Sequence, residues 1–120
     1  MLQGLRTVVY RVADLAHAKK WWTGVLGFGP YFDESFYVGF NVGGYELGLT
    51  PAPADGPGST TYWGVPDIEA ACERLHHLGA SEREPTQEVG GGIKVATMAD
   101  PDGNRFGLIE NPHFSLPAAD

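Results

Sequence analysis

The chain has 120 residues, with 15 acidic and 8 basic side chains and a formal charge of −7, which gives a pI near 4.9. Its 42% hydrophobic and 12% aromatic content is ample for one packed core and excludes intrinsic disorder. No basic stripe is present to meet a phosphate backbone, and no apolar run approaches the roughly 20 residues of a spanning helix, so neither nucleic acid nor a membrane is an expected partner.

Leu5 to Val12 is rich in Val and Thr and reads as a strand; Asp14 then caps a helix over Leu15 to Leu26. Leu15, Ala18, Trp22 and Leu26 fall on one face of that helix, and Gly27 supplies its stop. Strands are predicted at Gly29 to Asp33, Phe36 to Val42 and Tyr45 to Thr50, the last two joined by a tight turn at Gly43-Gly44. Pro51-Ala-Pro-Ala-Asp-Gly-Pro-Gly58 reads as a linker between two modules, about 1–50 and 59–112, of a single domain.

After the linker the same order begins again. Ser59 to Val65 is a predicted strand, Asp67 an N-cap, and Ile68, Ala71, Cys72, Leu75 and Leu78 the apolar face of a helix ending at Gly79. Strands follow near Ser81 to Val89, Gly92 to Ala99 and Asn104 to Glu110, with a turn at Asp100-Pro-Asp-Gly103 between the last two. Val12-Ala-Asp14-Leu matches Val65-Pro-Asp67-Ile, Leu26-Gly27 matches Leu78-Gly79, and Leu47-Gly48-Leu49 matches Phe106-Gly107-Leu108. Three landmarks in one order predict a duplicated βαβββ module and an α+β fold.

Four segments carry a family resemblance: Val12-Ala-Asp14-Leu, Trp21-Trp22, Val25-Leu-Gly-Phe28 and the ending Asp100-Pro-Asp-Gly-Asn-Arg-Phe-Gly-Leu-Ile-Glu110. In these the chain resembles the vicinal oxygen chelate superfamily, which holds glyoxalase I, extradiol dioxygenases, fosfomycin resistance enzymes and bleomycin resistance proteins. Trp21-Trp22 stands where that family usually has Phe-Tyr. The resemblance implies that each module curves into half of an open barrel-like cleft. It also implies four metal-ligand positions in the enzymes: a His early in the first strand of each module and a Glu, or a similar residue, in the last.

Those positions fall here on Thr7, Gly48, Thr60 and Gly107. None is a usual ligand for Fe, Mn, Zn, Ni or Co, so no metal and no cofactor is expected. A register slip of one residue would offer Arg6, Val8, Thr61 or Phe106, and a slip of two would offer Glu46, a single carboxylate. His76 and His77 are adjacent on a helix, His17 lies in a first helical turn and His113 in the tail, all consistent with solvated surface roles. Cys72, on an apolar helical face, reads as an inert thiol; it cannot form an internal disulfide, and Met1 to Tyr10 lacks a signal-peptide core, so a cytoplasmic location is expected.

Strand alternation places Thr7, Val9 and Arg11 on one face with Glu46, Gly48 and Thr50, and in the second module Thr60 and Tyr62 with Arg105, Gly107 and Ile109. If the four family positions face the cleft that the resemblance implies, the candidate ligand-binding residues are Thr7, Val9, Arg11, Glu46, Gly48, Thr60, Tyr62, Arg105 and Gly107. Leu47, Leu49, Trp63, Phe106 and Leu108 take the opposite parity and are expected under the helices. Glycine in place of a ligand should leave a neutral, roomy cleft; Gly48 and Gly107 fit either close approach by a ligand or close packing of strands. Tyr31, Phe32, Phe36, Tyr37 and Phe40, with Asp33 and Glu34 beside them, fit a flat cationic ligand or, for most of them, core or dimer packing. Trp21 and Trp22 are expected to pack.

The functional expectation is a metal-independent protein that binds an aromatic or cationic organic molecule, as the bleomycin resistance branch sequesters its antibiotic. A lyase, isomerase or dioxygenase is the alternative, working through a mislocated metal site or by metal-free proton transfer with Glu46, Tyr62 or Arg105. A homodimer with two clefts is expected from the family.

Overall fold

The computed structural model describes residues 1–52 and 58–116, so most of the expected linker lies outside the described residues. Ten elements follow the chain: β1 (Gly4–Val12), α1 (Leu15–Leu26), β2 (Phe32–Glu34), β3 (Tyr37–Val42), β4 (Tyr45–Pro51), β5 (Gly58–Gly64), α2 (Ile68–His77), β6 (Ser81–Glu88), β7 (Lys94–Ala99) and β8 (Arg105–Glu110). The order is βαβββ twice, the α+β arrangement that the repeated landmarks predict. Contacts divide the chain into two compact units, one built on Thr7–Ser59 and the other on Met1–Arg6 with Thr60–Ser115.

In the unit built on Thr7–Ser59, strand order is β2-β3-β4-β1. β3 and β4 form the predicted hairpin: Gly43 and Gly44 take φ of 63° and 93°, the left-handed region that a two-residue hairpin turn requires. Asn41 Oδ1 accepts the Gly44 N–H at 2.8 Å. β1 lies parallel to β4, with Thr7 beside Glu46, Val9 beside Gly48 and Arg11 beside Thr50. The opposite face is core: Val38, Phe40, Leu47 and Leu49 are buried, and Val8, Tyr10, Val12, Leu15, Ala18, Trp22 and Leu26 pack on them. α1 begins and ends where predicted, with the Asp14 side chain accepting the His17 N–H and Gly27 left-handed at φ 84°.

The second unit repeats the plan as β5-β8-β7-β6. β5 runs parallel to β8, with Tyr62 beside Gly107, and β7 continues the row with Thr97 beside Gly107. Val65, Ile68, Ala71, Ala80, Ala96, Met98 and Leu108 form the core, with Trp63, Cys72, Leu75 and Phe106 packed against it. Of the five residues expected under the helices, Leu47, Leu49 and Leu108 lie in these two cores and Trp63 and Phe106 pack against the second. β6 is exposed along its whole length, and its register to β7 shifts on both sides of Glu84. Pro85 lies in the irregular stretch, as suits an edge strand that can spare a backbone donor.

Several expectations need correction. β2 is three residues at Phe32–Glu34, preceded by one backbone bond from the Tyr31 N–H to the Gly39 carbonyl. Pro51 ends β4 and Gly58 opens β5, so strand pairing extends into both ends of the presumed linker. Leu78 is the exposed C-cap of α2 rather than part of its apolar face. Trp21 is 55% exposed and lies edge-on against Trp22 at 5.0 Å, so only Trp22, stacked at 6.0 Å on Tyr10, packs as expected. Of the aromatic run, Phe40 is core and Tyr37 half-buried, whereas Tyr31, Phe32 and Phe36 are exposed.

Candidate functional site

The face of the first unit that carries Thr7, Val9, Arg11, Glu46, Gly48 and Thr50 is built around Glu46. Its carboxylate accepts the Tyr31 hydroxyl at 2.5 Å on one oxygen and the Tyr37 hydroxyl on the other. The two phenols also fill the space that two glycines leave. Tyr31 lies 3.2 Å from where a Cβ on Gly39 would stand, and the Tyr37 hydroxyl takes the place of a Cβ on Gly48. Gly39 and Gly48 are themselves cross-strand neighbours. Small residues on two adjacent strands thus let two rings lie down over the sheet and converge on one carboxylate. Partial burial of the hydroxyl, then its hydrogen bond to Glu46 and the Glu46 charge, raise the Tyr31 phenol far above its ordinary range, so it stays a donor at any physiological pH. Phe32 extends the ring cluster, 6.1 Å from both Phe36 and Tyr37.

On the second unit the equivalent row is Glu84, Thr97, Gly107 and Tyr62 across four strands. The Tyr62 ring lies over Gly107 where a side chain would project. Burial, then the Glu84 charge, push the Tyr62 hydroxyl above its ordinary value, opposed in part by Thr97 and Arg105. Arg105 forms an ion pair with Glu84, and Thr60 is buried. The space that glycine was expected to open is therefore occupied by tyrosine in both units, and each face carries charge rather than being neutral.

The family resemblance implies a divalent metal in its enzymes, and the residues present do not fit one. Each unit contributes one threonine hydroxyl and one glycine at the two ligand positions, and the glycine sites are covered by phenols. Neutral hydroxyls are weak donors for a transition-metal ion beside imidazole and carboxylate. Glu46 stands beside Thr7, and both of its oxygens already accept phenolic protons.

Among the described residues one other carboxylate group is close-set: Asp67, Glu69 and Glu110 at the start of α2. Each has a structural task. Asp67 caps Ala70 at 3.1 Å, Glu110 accepts the Ile68 N–H at 2.9 Å, and Glu69 pairs with Lys94 at 3.3 Å. His17, His76, His77 and His113 are all exposed, and His113 is tied to the Gly91 carbonyl at 2.7 Å. Cys72 is half-buried beside Thr86, and burial raises its thiol, the opposite of what an activated nucleophile needs.

Sequence reasoning placed Glu46 and Tyr62 on these faces and missed Tyr31 and Tyr37 as the partners of Glu46. Tyr37 could have been found by parity, since β3 pairs Gly39 with Gly48 and puts residue 37 on the same face. Tyr31 precedes the strand, so no periodicity reports its direction.

Solved structures of the same fold carry diverse descriptions. A methylmalonyl-CoA epimerase from Mycobacterium tuberculosis is 23% identical, with 91% of this chain and 88% of that one covered at a TM-score of 0.74. A hypothetical protein from Bacillus halodurans C-125 is 15% identical, with 97% of each chain covered at 0.76. A chain described as an NAD-dependent benzaldehyde dehydrogenase from Legionella pneumophila is 15% identical, with 86% and 96% covered at 0.69. At such identities the likeness establishes the fold alone. No curated protein matches the chain. The model of the Glyoxalase/Bleomycin resistance protein/Dioxygenase superfamily, however, matches residues 4–108, and the chain belongs to that superfamily.

Proposed function

We propose that this chain is a metal-independent, small-molecule-binding member of its superfamily, of the sequestering type, taking an aromatic or cationic organic ligand. The observation that carries the reading is the Glu46 carboxylate held between the Tyr31 and Tyr37 hydroxyls, beside the exposed rings of Phe32 and Phe36. A carboxylate whose oxygens both accept phenolic protons is fixed in place while keeping its charge. A cation against it gains Coulomb attraction, and each ring face adds about 0.5–2 kcal/mol of cation–π attraction. The ligand-facing residues are Thr7, Val9, Arg11, Glu46 and Gly48 on the first unit, and Thr60, Tyr62, Arg105 and Gly107 on the second. The working form is a cytoplasmic homodimer of one-domain chains.

Native mass spectrometry on protein purified without chelators or tag, followed by titration with benzyltrimethylammonium, tests this reading. A metal-free dimer that binds the probe saturably, and loses most of that affinity in Glu46→Gln, supports it. A monomer at micromolar concentration would remove the dimer, one stoichiometric metal ion per chain would remove the metal-independent reading, and indifference to Glu46→Gln would remove the site.

A second reading is metal-free proton transfer, favoured by the same geometry: two donors hold the Glu46 carboxylate in one orientation, as a positioned base needs, at the expense of some of its basicity. Tyr62 or Arg105, on the second unit, are the alternative candidates for the proton-transfer group. This reading demands a turnover that Glu46→Gln abolishes.

A further inference from the structure

The structure points to an anion-binding pocket at the N-terminal end of the chain, a site independent of the Glu46 face. We propose that this pocket, around Arg6, takes the carboxylate or phosphate group of a small organic molecule. It lies wholly within the unit built on Met1–Arg6 and Thr60–Ser115. Its volume is about 310 Å³, and its lining includes Gln3, Arg6, Gly64, Ile109, Asn111 and Phe114. That size suits a small metabolite or one end of a larger one.

Three features hold the guanidinium in place. Its carbon sits 4.0 Å above the centre of the Phe114 ring. Its stem lies against Gly64 where a Cβ would stand 2.6 Å from Nε, and Nη1 lies 3.3 Å from the Cβ position of Gly4. The backbone that carries it is fixed by the Gln3 N–H donating to the Gly64 carbonyl at 2.8 Å. Two glycines and an aromatic ring thus form a cradle for one cation, and a side chain at Gly64 would displace it.

The same guanidinium has little to neutralise it. Its one hydrogen bond among the described residues goes to the Leu5 carbonyl at 3.4 Å, and no carboxylate of those residues lies within 4.0 Å of it. Asn111 is oriented by accepting the His113 N–H at 2.9 Å on Oδ1, which leaves its amide NH₂ as the free end. The polar side chains lining the pocket are therefore an arginine and two amides, with no acid among them, in a chain whose net charge is −7. A forked, planar cation with amide donors beside it matches the oxygens of a carboxylate or phosphate, and an anion there would meet donors without a competing acid.

Backbone and side-chain ¹H–¹⁵N spectra of the full chain, titrated separately with benzoate and with inorganic phosphate, test the proposal. Saturable shifts confined to Gln3, Arg6, Gly64, Asn111 and Phe114 are expected with at least one probe, and the stronger of the two names the oxyanion. Arg6→Gln should weaken that binding at least tenfold and Arg6→Lys by less, because lysine keeps the charge and loses the fork. If Arg6→Gln fails to fold, Asn111→Leu carries the comparison, with a loss of several-fold expected. Linear, unsaturated shifts with both probes, or unchanged affinity in whichever variant folds, would overturn the site.

Discussion

The Tyr37 hydroxyl occupies the position into which a Cβ on Gly48 would project, and Tyr62 stands in the same relation to Gly107. The two glycines are equivalent, each at the centre of the last strand of its module. The tyrosines are not: one comes from β3, the other from β5. Two halves of a duplicated fold have thus reached the same local result, a phenol over a glycine, by different routes. In each case the ring fills the space that a side chain on the glycine would otherwise take, because close-packed protein leaves few holes.

The two contacts predict unequal costs for the same substitution. At Gly48 a new methyl meets the far end of the Tyr37 side chain, which can swing aside at the expense of its bond to Glu46. At Gly107 it meets the body of the Tyr62 ring close to its own backbone, which cannot. Gly107→Ala is expected to cost about 2–3 kcal/mol and Gly48→Ala about 1 kcal/mol, within the range for overpacking. Urea denaturation measures both. Tyr62→Ala combined with Gly107→Ala should cost less than the sum of the two single changes, since the collision is then removed; strict additivity would show that the ring and the methyl never meet.

This contrast also marks how far the sequence could be read. Both helix starts and the end of α1 were legible because Asp14, Gly27 and Asp67 act locally, through their own side chains or their own φ. The two cores were legible because alternation in β1, β4, β5 and β8 assigns one face to the helices. The candidate faces were legible in membership and wrong in texture. Parity placed Glu46 and Tyr62, but a glycine's neighbours are set by register between strands far apart in sequence, and Tyr31 reaches Glu46 from a loop. Among the edge strands β2 was the least legible, three residues at Phe32–Glu34 where Gly29 to Asp33 was expected, because it has no buried face to impose a pattern; β6, Ser81–Glu88, matches its expected span to within one residue.

The carboxylates at the start of α2 should separate by function. Glu110 satisfies the backbone N–H of Ile68, a fully buried residue. Glu110→Ala leaves that donor unpaired and is expected to cost about 1–3 kcal/mol, with Glu110→Gln recovering most of it through its amide oxygen. Glu69 pairs with Lys94 in solvent, so Glu69→Ala should change stability by less than about 0.5 kcal/mol. Equal effects in thermal or urea denaturation would mean that the three acids act as one cluster.

The donor set at Thr7, Gly48, Thr60 and Gly107 predicts indifference to metals. Adding Zn²⁺, Mn²⁺ or Ni²⁺ in slight excess should leave the melting temperature unchanged, and so should EDTA, because an ion that binds only the native state must stabilise it. A rise in Tm of several degrees with one ion, reversed by chelator, would show that a metal is held through groups other than these four.

Alkaline pH should weaken the fold through Tyr62. In the native state burial, and then Glu84, hold its phenol above the ordinary value of 10.0. The unfolded chain ionises Tyr62 nearer 10, so above that pH the unfolded state binds fewer protons than the native one, and stability falls as pH rises. The contribution is fully present below pH 10 and is lost as pH climbs through the raised native value. Tyr31 shifts further in the same direction, from burial and Glu46, but the residue is 63% exposed, so solvent screening discounts its effect on stability. The check is the urea midpoint at pH 9 and pH 11 for the parent chain, Tyr62→Phe and Tyr31→Phe. The drop between the two pH values should be smallest in Tyr62→Phe; a drop equal to the parent's would mean that the ring over Gly107 ionises as freely as a phenol in water.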